Sequence, residues 1–94
     1  MEDGVKSWSP ERCKEVLVAY KEAYIALADI GIEIAEKGFD DVRDVEVPRE
    51  FVTFLELIEA TDVQGHINVM KSAIWNRNAG YLLDILADAL VEVL

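Results

Sequence analysis

Four carboxylates are spaced as a hard-cation site would require. Glu33 and Glu36 lie three residues apart, as do Glu59 and Asp62, and an i, i+3 pair on a helix shares one face. Oxygen ligands of this kind suit Mg²⁺, which can bind and polarise a phosphoryl group. A second candidate is the polar and aromatic island Trp75-Asn76-Arg77-Asn78-Ala79-Gly80-Tyr81, set between apolar runs. Trp75, Arg77, Asn78 and Tyr81 would form its pocket, with Arg77 pairing an anion and an aromatic ring stacking on the ligand. The same stretch also reads as a helix junction, with Asn78 as a cap, Gly80 for close approach and Arg77 paired to a loop acid. His66 and Cys13 are single representatives of their types. A histidine following Gly65 near a helix start is expected to be exposed or locally hydrogen-bonded. Cys13 is expected as a small buried hydrophobe rather than a reactive thiol.

The ExxE spacing, then twenty-two residues, then ExxD resembles the metal-binding pattern of the MazG-like all-α nucleotide pyrophosphohydrolases. That resemblance implies carboxylates on two antiparallel helices holding Mg²⁺ over a nucleotide's phosphates. The chain departs from the family where Ile32 takes the place of an acid in the usual Glu-Glu doublet. Glu59 and Asp62 also straddle an expected helix end. With 19 acids in 94 positions, chance alone yields about four i, i+3 acid pairs. The chain has four: 33/36, 41/44, 56/59 and 59/62. The Arg77-Asn78 pair is similar to part of the RNase motif of HEPN domains. That motif needs a later histidine, and none follows His66.

Bulk composition narrows the remaining classes. The chain is 52% hydrophobic and carries a net charge of −10. Abundant Ile, Leu and Val argue for a folded core, and the acidity argues against nucleic-acid or anionic-membrane binding. A lone cysteine allows no internal disulfide, and one histidine with one cysteine makes no zinc finger. No basic lead followed by an apolar stretch reads as a signal peptide, so a cytoplasmic location is expected, with no cofactor or metal. The charge is uneven: residues 1–37 sum to −3, residues 38–62 to −6 and residues 63–94 to −1. An acidic segment 40–62 could steer a basic partner protein, or serve mainly as a solvated surface.

The elements that position these residues are all helical. Residues 1–8 form a lead-in to one domain covering 1–94. Ser9 as N-cap, Pro10 at the first helical position and Glu11 behind it start a long helix over about 10–37. Trp8 can pack on Cys13 as a staple, and Gly38 with Lys37 before it marks the helix end. Further helices are expected over about 48–60, 63–78 and 80–94, the last two either separate or continuous. Thr61 and Gln64 fit a capping box for the third. The spacing predicts an all-α antiparallel bundle of three to four helices with a long N-terminal helix.

Helix one has one apolar face more than a bundle member needs. Its seam reads Cys13, Val16, Tyr20, Ala23, Leu27, Ile30 and Ile34, flanked by Leu17, Tyr24 and Gly31. Opposite the seam stand Val18, Ile25 and Ile32, seven residues apart, beside the acidic row Glu15, Glu22, Asp29 and Glu36. The C-terminal segment is also rich in apolar residues. Either helix one is the central helix of its own bundle, sheathed by the other elements, or the second face is an oligomer interface. So much apolar surface in 94 residues favours a homodimer through Val18, Ile25 and Ile32. The expectation is an interaction or assembly module without catalysis. The alternatives are the metal-dependent nucleotide hydrolase and an acidic mimic that occupies a basic protein.

Overall fold

A computed structural model describes residues 8–36 and 45–94. Among them are four helices and no strands: α1 (Pro10–Glu36), α2 (Arg49–Leu57), α3 (Val63–Trp75) and α4 (Ala79–Val93). The bundle is all-α, with the long first helix as its spine. At 1.5 Å per residue, α1 extends about 40 Å, and it accounts for the 49 × 21 × 17 Å outline. Both α2 and α4 pack along α1, while α3 packs on α4 and more lightly on α2. None of the four helices is long and apolar enough to cross a membrane.

Each helix start has a local cause. The Ser9 hydroxyl accepts the Arg12 amide at 3.1 Å, and the Ser9 carbonyl takes the Cys13 amide at 2.9 Å. Pro48, with φ −66° and ψ 142°, is the extended residue that precedes α2, and its ring fixes φ at that entry. The cap of α3 is Asp62, whose carboxylate accepts the Gly65 amide at 2.9 Å. The expected Thr61–Gln64 box does not form, because the Asp62 carboxylate takes the donor and Gln64 bonds Asn68 instead. A Cβ on residue 65 would collide with that carboxylate, which is why the position suits glycine.

The two turns between α2, α3 and α4 share one design. Glu59 and Arg77 are left-handed, at φ 56° and 57°. Glu59 donates its amide to Glu56 and Ala60 donates to Leu55; Arg77 donates to Ile74 and Asn78 to Ala73. These paired bonds are Schellman closures, usually built on glycine. The second closure separates α3 from α4, so the last two helices are not one rod. Both also stop before the expected 60 and 78, because each closure consumes the final turn.

The core is dry. Leu27 and Ile34 of α1, Phe54 and Leu55 of α2, Met70 and Ile74 of α3, and Leu82 and Leu86 of α4 are buried together. Tyr20 of α1 meets Phe54 edge to face at 5.5 Å, a geometry that adds about 1 kcal/mol to the area it buries. No polar side chain is buried among the described residues. Any site must therefore lie on the surface or in a cleft.

Candidate interaction surface

The paired carboxylates do not converge. Glu59 lies 4.0 Å from Arg12, in the first turn of α1, whereas Glu33 and Glu36 are in its last turn. The twenty-one residues from Arg12 to Glu33 rise about 32 Å, so the two pairs sit at opposite ends of the spine. Asp62 is spent on capping α3. No group of three or more His, Cys, Asp or Glu among the described residues is arranged to hold a metal ion. The i, i+3 spacing was real, but the antiparallel return of α2 carries Glu59 away from Glu33.

The aromatic and polar island does not gather into one pocket either. Arg77 reaches back so that its guanidinium donates to the Ile34 carbonyl at 3.4 Å, at the C-terminal end of α1. A positive group at the last described turn of α1 adds a donor to a helix carbonyl and complements the dipole. The loop acids Asp40, Asp41 and Asp44, to which the junction reading would pair Arg77, lie outside the described residues. Asn78 occupies the N-cap position of α4 but makes no capping bond through its side chain. Tyr81 is exposed. Trp75 instead lines a groove with Val45, Val47, Val52, Ile67 and Lys71, of about 420 Å³.

His66 makes a longer connection than its sequence context implied. It lies 3.2 Å from Glu92, twenty-six residues away, and ties the start of α3 to the end of α4. That contact closes the open end of the hairpin whose other end is the Arg77 turn. Cys13 is exposed, not buried. It sits on the seam row, but at the end of the bundle, where Trp8, Cys13, Val16, Leu17, Leu90 and Leu94 line an apolar cleft of about 260 Å³. The seam periodicity holds there, but the cleft leaves the thiol open to solvent.

What remains is the outer face of α1. Val18, Ile25 and Ile32 are 55%, 51% and 57% exposed, and the adjoining Leu17 and Tyr24 are exposed with them. The core-facing row Val16, Ala23, Leu27, Ile30 and Ile34 is buried. Helix α1 therefore has a covered apolar side and an uncovered one. Acids border the uncovered side, with Glu15 and Glu22 beside Val18 and with Glu22, Asp29 and Glu50 around Ile25. Of the acidic segment 40–62, residues 40–44 fall outside the described residues. Its described part is exposed at Glu46, Glu50, Glu56, Glu59 and Asp62. The lead-in before Trp8, Lys37 and Gly38 also lie outside the described residues. Comparison with known family models, curated proteins and solved structures finds no match for this chain.

Proposed function

We propose that this protein is a non-catalytic interaction or assembly module that pairs with a second copy of itself through the outer face of α1. The observation that carries the reading is the row Val18, Ile25 and Ile32, half or more exposed on a helix whose opposite side already faces a complete core. Exposed apolar residues are ordinary when scattered, but a row repeating every seven residues along one side of a helix, from Val18 to Ile32, is not. With Leu17 and Tyr24, the row offers five large side chains at roughly 100 Å² apiece. Two such faces bury about 1,000 Å² in total, the lower range of specific protein interfaces.

The reading needs no buried polar group, and the metal-hydrolase alternative loses its geometric basis because its carboxylates stand at opposite ends of α1. The weight-average mass in solution tests the proposal. Across nanomolar to micromolar concentrations it should rise from one chain mass to two. A mass that stays at one chain throughout contradicts it.

A further inference from the structure

The outer face of α1 differs along its length, and that difference selects how two copies align. Starting from the homodimer reading above, we infer that two copies pack α1 against α1 in antiparallel orientation. Ile25 of each then lies over Ala28 of the other, and Val18 over Ala35.

Successive residues of a helix turn by 100°, so the outward side of α1 is built of adjacent rows. Val18, Ile25 and Ile32 form one row, and Lys14, Lys21, Ala28 and Ala35 form the row beside it. Together they make a 3,4-spaced seam, 18-21-25-28-32-35, of the kind that interlocks two helices. The seam is large and basic in its first half and alternates isoleucine with alanine in its second. Charge follows the same division. Every base of α1 lies at or before Lys21, and from Glu22 to Glu36 every charged residue is acidic.

A parallel pair would set Lys21 against its own copy and Ile25 against Ile25. It would also stack Ala28 on Ala28 and leave a gap there, and it would bring the two acid-only halves together. An antiparallel pair meets residue by residue with positions summing to 53. Large then faces small at Ile25–Ala28 and Val18–Ala35. Lys21 meets the partner's Ile32, whose neighbours at i−3 and i+4 are Asp29 and Glu36. The lysine stem covers the isoleucine while its ammonium reaches the carboxylates. That placement offsets the approach of the two acidic edges, and the opposed helix dipoles favour the same orientation.

Cross-linking tests the alignment. In a Cys13→Ser background, Val18→Cys and Ala35→Cys chains are prepared separately, one carrying a mass tag, then oxidised mildly alone and mixed. Facing positions in the antiparallel seam fall within disulfide reach. The mixture should form the tagged–untagged disulfide at least tenfold faster than either variant forms its own. Self-linking of Val18→Cys at the rate of the mixture would show a parallel pair, overturning the alignment while leaving the homodimer in place. No cross-link from a protein that sediments as a dimer overturns the seam. A protein that sediments as a monomer overturns the homodimer itself.

Discussion

Ile30 and Ile32 are two residues apart on the same helix, yet one is 8% exposed and the other 57%. Nothing in their chemistry separates them. A turn of 200° does, carrying the first into the core with Leu27 and Ile34 and the second to the far side, where neither α2 nor α4 reaches. The inner face of α1 is covered from Val16 to Ile34 because α2 and α4 pack along it. The outer face also carries large apolar residues, and among the described residues no element covers them. The comparison separates the side of α1 that the fold uses from the side on which we propose that a second copy packs.

The largest effect should come from the inner face. Leu27→Ala removes a fully buried side chain and should cost about 3 kcal/mol of unfolding free energy, measured by urea titration. The outer face should respond in the opposite way. Ile25→Asp with Ile32→Asp should leave the helical circular dichroism and single-chain stability nearly unchanged, since both side chains are exposed. The same pair should weaken self-association at least about 100-fold, because it brings uncompensated carboxylates into an apolar contact. If Leu27→Ala dissociated the dimer before it destabilised the chain, the division between the faces would be wrong.

A smaller effect is expected where α1 ends. Arg77→Ala removes the donor to the Ile34 carbonyl and keeps a left-handed backbone at a residue with a Cβ. It should cost about 1 kcal/mol. Arg77→Gly loses the same donor but relaxes φ, and should cost less. Equal losses in chemical denaturation would mean that the backbone angle contributes nothing. Smallest of all is Gly31→Ala. An added Cβ would meet the Ala79 Cβ at 3.8 Å, an ordinary contact, while the helix interior gains up to about 1 kcal/mol. The melting temperature should rise by a few degrees; a fall would mean that α4 lies closer to α1 than this distance indicates.

Much of the fold was readable because its signals are local. Ser9 and Pro10 start α1, Pro48 precedes α2, and the seam row from Val16 to Ile34 is the row that is buried. The outer face was readable too, since periodicity separates Val18, Ile25 and Ile32 from that seam without any knowledge of partners. The turns were less legible. Glu59 and Arg77 adopt a conformation whose usual marker is glycine, and each is held there by bonds that exist only once the helix before it has ended. Gly80 drew the eye instead, although a Cβ there would meet nothing within 4 Å. Cys13 shows a different limit. Heptad position predicts which way a residue points, but not whether another element covers it there. The carboxylate pairs show a third: spacing places two acids on one face, while the direction in which the chain returns decides whether two pairs ever meet.

The most direct measurement is sedimentation equilibrium of the native chain beside the Ile25→Asp, Ile32→Asp variant at the same micromolar concentration. The native chain should sediment at twice its chain mass and the variant at one chain mass, with identical helical content. A native monomer, or a variant that remains fully dimeric, would contradict the claim that the outer face of α1 is where this protein assembles.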